Sequence, residues 1–491
     1  MIDTRALVGE EQGRPATEVK TLRRSTQEIL PDGSVVTLRQ QEQYTLFDSS
    51  VYICTHTYLT PTSTKRTQLF IWSGTTAPHS AFSHAQTAAK NLARGPGTLP
   101  LQTITQGHEP APFLQALGGI LITHRGSRFH ASKQYVLCGR QHLGHIVFDE
   151  VDLGLGSLCA GFVFLISYPV TLQRTELYLW KGAACAMEEV CAARLVGMEI
   201  SEMGGIEEVE QGGEDPKFLG IFGVGAVREG IAESSAMWEG KARAPGRSEI
   251  RLYRVEEVVQ KVSLFAGLLS RRPSWNSRPP PSTRSASQDG ADIKVEAKRI
   301  SPFTQTDLEA EGIYVLDAYT KLYILVGPLF PSTPERVRDA LLSQTLRFAE
   351  ELARFPAENE GWEGSGRGFV ILGGVPRDVK MLFRCWDEGR GLWGTAGLMA
   401  GSRGTRGDEV MMVRLDEVVR AHKPGVNVGN DALPEFTAQA IPAGSAPKEA
   451  TFLPNSTEAV SEGEGEGAEA KAMEGSTGAT SGDVHKNVGG K

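Results

Sequence analysis

Ten histidines and six cysteines are the side chains in this sequence best suited to metal or nucleophilic chemistry. Their spacing supports neither. His56, His79, His84, His108, His124 and His130 crowd together, yet their intervals match no zinc motif and they fall on different expected elements. They read as solvated or structural histidines. Cys54, Cys138, Cys159, Cys185, Cys191 and Cys385 sit mostly inside apolar strand or helix patterns, without CxxC or Cys/His ligand spacing. That usage suits buried free thiols in a reducing compartment. No Ser/His/Asp or Cys/His arrangement stands in a nucleophile-elbow context. GGVPRD and QGGEDP are glycine turns, but neither carries the Lys-Ser/Thr of a phosphate loop. Glu188, Glu189 and Glu335 open helical patterns, where the macrodipole favours carboxylates. The basic residues Lys20, Arg23, Arg24, Lys90 and Arg94 suit either an acidic partner or a plain solvated face. Arg278-Pro279-Pro280-Pro281 suits either an aromatic groove or a plain linker.

The elements that must position these residues come as one pattern written three times. An apolar strand leads to a second strand ending in glycine, then a helix, then a Gly-rich turn and a short apolar run. The copies begin SVYICTHTYL…QLFIWSG, GFVFLISYPV…ELYLWKG and GIYVLDAY…KLYILVG, with marker glycines Gly74, Gly182 and Gly327. The period is that of a small domain, far longer than a solenoid repeat. Repeats are expected over 34–126, 132–259 and 292–420, each with its own core. HSAFSHAQTAAKNLAR is Ala-rich and free of Gly and Pro, which predicts a helix. Each helix follows its central strands rather than alternating with them, so the fold class is α+β, with a mixed or antiparallel sheet. Three segments lack core-forming residues: 1–33 as a flexible N-terminal segment, 270–290 as a linker rich in Pro, Ser and Arg, and 424–491 as an acidic Gly-rich tail.

Composition narrows the function class. The formal charge of −8 argues against bulk electrostatic binding of nucleic acid. Apolar stretches are strand-length, so no transmembrane segment is expected. The N-terminus lacks signal-peptide architecture, and the expected location is cytoplasmic.

Three motif pieces carry a resemblance. The strand ending W-x-G occurs as FIWSG and YLWKG, and as YILVG in the third copy. G-x-E-P-x-x-F occurs as QGHEPAPF, with a close copy in QGGEDPKF. L-Y-x-V occurs as RLYRV, and ISPFTQTDLEAEGIYVLD follows. In this order, over about Thr37 to Arg420, the chain resembles the gelsolin/villin family of actin regulators. The resemblance implies mixed sheets of five or six strands, each between a long and a short helix. It implies no enzymatic activity, and actin filaments as partner, with a cytoskeletal location. GGILITHRGS is similar to the end of second- and fifth-type family domains, and VFDEVDLGLGSLCAGFVFLI to the start of third- or sixth-type ones. No first-type domain, the severing and capping wedge, is visible. The first helix offers Phe82 and Leu92 but also His84, Gln86 and Lys90. Side binding is therefore favoured over severing or barbed-end capping. Arg23, Arg24, Lys90 and Arg94 occupy positions that the resemblance assigns to filament contact. The basic linker offers a second contact, to phosphoinositides or an SH3-type domain. A non-actin scaffold or trafficking role on the same fold is the alternative.

The resemblance also raises calcium, through a Gly-Asp pair before a central strand and a Glu early on the long helix. In the first repeat these positions fall at Ser49-Ser50 and near Ala81. In the second they are Gly161-Phe162 and Glu189, and in the third Glu311-Gly312 and, one residue off, Glu335. Gly161, Glu189, Gly312 and Glu335 are the calcium candidates. No repeat keeps the full pair, so calcium dependence is expected to be weak.

Overall fold

The computed structural model describes residues 19–95, 97–171, 174–201, 205–223, 238, 241, 250–258, 293–318, 321–360, 368–372, 375, 377–387 and 411–414. The segment 270–290 and the tail 424–491 lie outside the described residues.

The first repeat contains β1 (Lys20–Ile29), β2 (Val35–Thr37), β3 (Thr45–Phe47), β4 (Val51–Leu59) and β5 (Lys65–Ser73). Helix α1 (His79–Leu92), β6 (Gln102–Thr105), α2 (Ala111–Leu117) and β7 (Ile120–His124) follow. The second has β8 (Tyr135–His142), β9 (His145–Val151), β10 (Val163–Pro169), β11 (Thr175–Lys181), α3 (Met187–Ile200), β12 (Glu207–Glu210) and α4 (Pro216–Gly220). The third has β13 (Arg251–Glu257), β14 (Val295–Ile300), β15 (Ile313–Ala318), β16 (Lys321–Val326), α5 (Glu335–Glu360), β17 (Gly368–Leu372), α6 (Arg377–Lys380) and β18 (Met411–Arg414).

One unit recurs in all three. An antiparallel hairpin (β4–β5, β10–β11, β15–β16) feeds a long helix, and the chain returns as a strand parallel to the second hairpin strand (β6, β12, β17). The sheets are therefore mixed, and the fold is α+β. Alternation along each strand splits the apolar residues between two faces. In the first sheet Val51, Ile53 and Ile71 meet the Ala81, Ala85 and Ala89 row of α1. Tyr52, Cys54, Phe70 and Trp72 meet α2 through Phe113, Leu114 and Leu117. Alanines four residues apart let the helix backbone lie close to the sheet. Each buried aliphatic beneath it contributes about 1.5–3 kcal/mol.

The marker glycines have one cause. A Cβ on Gly74, Gly182 or Gly327 would fall 2.0, 2.4 or 2.1 Å from the backbone oxygen of Asp48, Ala160 or Ala310. In each repeat the end of the second hairpin strand presses against the backbone that leads into the first. Only a residue without a side chain fits there.

Two domain boundaries need correction. The first repeat starts at Lys20, not at 34, because β1 pairs along its length with β4. β1 escapes a local reading because its buried positions include Thr26 and Glu28 beside Ile29. Second, β7 pairs with β9, and β3 pairs with β7, so both join the second sheet. Among the described residues the sheets have five, seven and six strands, ordered β2-β1-β4-β5-β6, β12-β11-β10-β8-β9-β7-β3 and β14-β13-β15-β16-β17-β18. The cores are not all separate either. Phe164, Trp180 and Phe218 of the second repeat share one cluster with Tyr323, Val379 and Phe383 of the third.

Candidate functional site

Two motif pieces are halves of one contact. Trp72 of FIWSG donates its indole N–H to Glu109 of QGHEPAPF at 2.7 Å, and Trp180 of YLWKG donates to Glu214 of QGGEDPKF at 2.8 Å. Each carboxylate also accepts the N–H of its turn glycine, Gly107 or Gly212. In the third repeat Leu325 and Val375 stand at these two positions, both buried in the shared core. The polar couple has been exchanged for an apolar one. Removing one partner of a buried hydrogen bond strands the other at about 1–3 kcal/mol, whereas replacing both is close to neutral. The departure of YILVG from the motif is therefore paired with the Val of GGVPRD.

The second oxygen of Glu109 joins a seam of the three repeats. Arg384, from the third, holds Glu109 Oε2 at 2.7 Å with one nitrogen, and Asp149 Oδ2 and Oδ1 at 2.8 and 2.9 Å with two others. All three side chains are buried. Burial alone would raise the Asp149 carboxyl, but Arg384, Arg140 and the Thr123 hydroxyl hold it well below the usual range. Arg140 donates to the Met381 carbonyl at 2.9 Å. At the half-exposed edge, His108 of the first repeat meets Asp307 of the third at 3.0 Å. The Asp307 hydrogen bond raises the His108 pKa. The other clustered histidines are dispersed: His124 bonds Glu150, and His56 bonds Thr21.

The four residues expected at a filament contact are all exposed, but they divide between two faces. Arg23 lies opposite Thr57, in the inward register of Ile53, and so on the α1 side. Arg24 lies opposite His56, in the register of Cys54. Its guanidinium covers Gly118 at the end of α2, where a Cβ would fall 2.9 Å from Nη1. Lys90 and Arg94 come at the C-terminal end of α1, and the chain then returns to the same sheet end. Thr67 accepts from Leu99 N–H and donates its own to Gly97. Because Thr67 pairs with Thr57, which pairs with Arg23, these groups share one end of the sheet, with the outer strands about 10 Å apart.

Three further cations complete that end. Lys20 and Lys65 both pair with Leu59, and Arg66 pairs with Tyr58. All three are exposed. Lys65 and Arg66 sit in TPTSTKRT, which reads locally as a polar hairpin turn, and only the strand register reveals their role. The flanking turns 60–66 and 93–99 contain no Asp or Glu. None of the seven basic residues pairs with a described carboxylate.

The calcium candidates are not brought together as a metal site. Gly312 uses its carbonyl to accept the Gly327 N–H at 2.9 Å, and Glu335 is exposed on the first turn of α5. In the second repeat Glu189 stands on the first turn of α3 and is fully buried. Its Oε1 accepts Gln141 N–H at 3.0 Å, and its Oε2 accepts Ala186 N–H at 2.8 Å. Both oxygens also lie 2.7 Å from Lys241 Nζ, which reaches the Gly161 carbonyl at 2.5 Å. Calcium takes six to eight oxygens. Here there are one carboxylate and one carbonyl, both engaged by an ammonium, so the residues do not fit the ion. Among the described residues no group of three or more His, Cys, Asp or Glu side chains is placed to hold a metal. Nor, among them, is any helix long and apolar enough to cross a membrane.

Comparison with known proteins adds three findings. A family model described as a domain of unknown function (DUF7904) matches residues 25–125, from within β1 to the residue after β7. Drosophila melanogaster Gelsolin is 22% identical over 374 residues, covering 74% of this chain and 39% of that protein. The chain thus spans well under half the length of that relative. A chain in the crystal structure of the Thorarchaeota 2DGel3/rabbit actin complex is 19% identical, covering 41% of this chain and 100% of its own, with a TM-score of 0.16. Overlap that small carries no structural argument. Fold and motif contacts define a protein of tandem mixed-sheet repeats, each tied to its short helix by a Trp–Glu bond or its apolar replacement. In sequence the chain is similar to gelsolin over 374 residues.

Proposed function

We propose that this chain is a non-enzymatic actin-binding protein that attaches to filament sides through the basic end of its first repeat. It acts in the cytoplasm, on the cytoskeleton, and severs weakly or not at all. The observation that carries the reading is the group Lys20, Arg23, Arg24, Lys65, Arg66, Lys90 and Arg94, all exposed on one end of a sheet with no described carboxylate in partnership. An acidic filament is the partner such a field attracts. The gelsolin relative and the motif order supply the identity of that filament. Phosphoinositide or SH3-type contacts belong, on this reading, to the basic segment 270–290, which lies outside the described residues.

Charge-driven contact weakens as salt shortens the Debye length, about 10 Å at 0.1 M. Co-sedimentation with filamentous actin is expected to fall steadily with ionic strength. Lys90→Glu with Arg94→Glu, or Lys65→Glu with Arg66→Glu, is expected to weaken binding about tenfold or more at low salt. The melting temperature should hold, since none of the four side chains is buried. Single-filament imaging is expected to show decoration without breakage. Rapid severing at low concentration would refute the side-binding reading. Absence of co-sedimentation at any salt would favour the scaffold role.

A further inference from the structure

We infer that Lys241 is a built-in cation: its ammonium takes the place that a calcium ion would take between Gly161 and Glu189, and holds the second repeat closed without metal. The Nζ has three acceptors within 2.7 Å, both Glu189 oxygens and the Gly161 carbonyl, matching its three protons. The lysine side chain is 2% exposed and the glutamate 0%. Phe162 stands where the resemblance expects a metal-binding Asp. Its ring centroid lies 4.6 Å from the ammonium, so a ring face replaces the missing carboxylate.

The surroundings are arranged against a divalent ion. Arg140 places a second cation 4.4 Å from the same ring. Each Glu189 oxygen already accepts a backbone N–H. A metal would have to displace the lysine and meet the positive charge of Arg140. Trp238, three residues before Lys241, packs edge-on against Phe162 at 5.2 Å. A Cβ on Gly161 would fall 2.2 Å from the Trp238 ring. Gly161 is therefore required here for the approach of Trp238. The lysine ties the residues entering β10 to the first turn of α3.

Thermal melting of the full chain with millimolar calcium and with chelator tests this. The wild-type curves are expected to coincide. Lys241→Ala breaks a buried pair and is expected to lower the melting temperature by roughly 10 °C. Neither calcium nor magnesium is expected to restore that loss, because one carboxylate and one carbonyl beside Arg140 and Phe162 remain too few oxygens for a divalent ion. A calcium shift in the wild type would overturn the inference, because the metal would then be displacing the lysine. A Lys241→Ala protein as stable as the wild type would also overturn it, by showing that the ammonium does not hold the repeat together, and so would rescue of that variant by calcium, by showing that the surroundings accept the metal. Should that variant fail to fold, Lys241→Met combined with Glu189→Gln decides. With neither charge to bury, the pair is expected to fold and to ignore calcium. Failure to fold, or a calcium response, would overturn the proposal.

Discussion

The Trp–Glu bond is the residue-level signature of the first two repeats, and the third shows how it is replaced. Glu214 is the carboxylate to test, because a change at Glu109 would also release Arg384. Trp180→Leu is expected to destabilise by about 3 kcal/mol, through lost ring packing and loss of the indole hydrogen bond to a buried carboxylate. Adding Glu214→Val to it reproduces the Leu325 and Val375 couple of the third repeat. The double variant is expected to recover about 1–2 kcal/mol relative to the sum of the single changes. A double-mutant cycle on the unfolding of the chain measures the coupling, and additivity would show that the bond does not link the two motifs. The same logic extends to neighbouring rings. Phe70 meets Phe113 at 5.4 Å and Tyr178 meets Phe218 at 5.7 Å, both edge-on, while the third repeat pairs Tyr323 with Val379 in one core.

At the scale of elements, the seam between the first two repeats runs through a sheet rather than between domains. β7 and β3 come before β8 in the chain yet complete the edge of the second sheet. Leu121 and Ile122 of β7 are buried on its two faces, in the first and second cores respectively. A fragment ending at 126 would keep β7 and β3 without the β9 edge that they need. It would expose an unpaired apolar strand, a template for association. The fragment 19–126 is expected to self-associate at concentrations where the full chain remains monomeric. Sedimentation or light scattering reads the difference. A monomeric, fully stable 19–126 would mean that β7 can refold onto its own repeat. Helix α1 shows the opposite economy. Its inward face is a row of three alanines, and Lys90 lies outside that row, so charge changes at its C-terminal end leave the core intact.

At the scale of the whole molecule, Arg384 clasps the three repeats, and its partners are 275 and 235 residues away in sequence. Arg384→Leu leaves Glu109 and Asp149 buried without their cation. Loss of one partner from a buried ion pair costs about 3–5 kcal/mol. The third repeat is expected to loosen, seen as a larger radius of gyration in solution scattering and as a lower melting temperature. Without the guanidinium, burial favours the neutral acid at Asp149, so the deficit is expected to shrink as pH falls from 7 toward 5. The exposed edge of the seam has its own pH dependence. The His108 pKa is raised, so its contribution is fully present below about 6.5 and is lost as pH rises through the folded value. Burial opposes ionisation of Asp307, but the hydrogen bonds from His108 and Thr304 leave its pKa lowered. Its contribution is present above about 3.9 and is lost as pH falls through the folded value. Glu109 adds to the field at His108. His108→Gln is therefore expected to lower the melting temperature most between about pH 4 and 6.5, and least near pH 8. A difference independent of pH would mean that the contact is carried by the neutral imidazole.

The sequence by itself determined the repeating unit. Alternation in YICTHTYL and the nearly continuous apolar run of FVFLIS dictate strands, the alanine spacing dictates α1, and the marker glycines show where backbone meets backbone. Those signals are local, set by a few neighbouring residues, and they carry the fold class and the resemblance. The Trp and Glu motifs were also legible, although not as partners, because 37 and 34 residues separate them. Only the tertiary structure decided the rest. β1 was invisible because its inward positions hold Thr26 and Glu28, which acquire partners from Gln43 and Ser50 rather than from apolar alternation. The assignment of β3 and β7 rests on the pairing of β7 with the β9 edge of the second sheet and of β3 with β7, which no local pattern records. Lys65 and Arg66 became part of a basic surface only when strand register set them beside Lys20 and Arg23. Lys241 comes from a stretch without periodicity, 52 residues from Glu189. A buried charge finds its counter-charge by closure of the chain in space, and local sequence pattern does not record which distant residue will arrive.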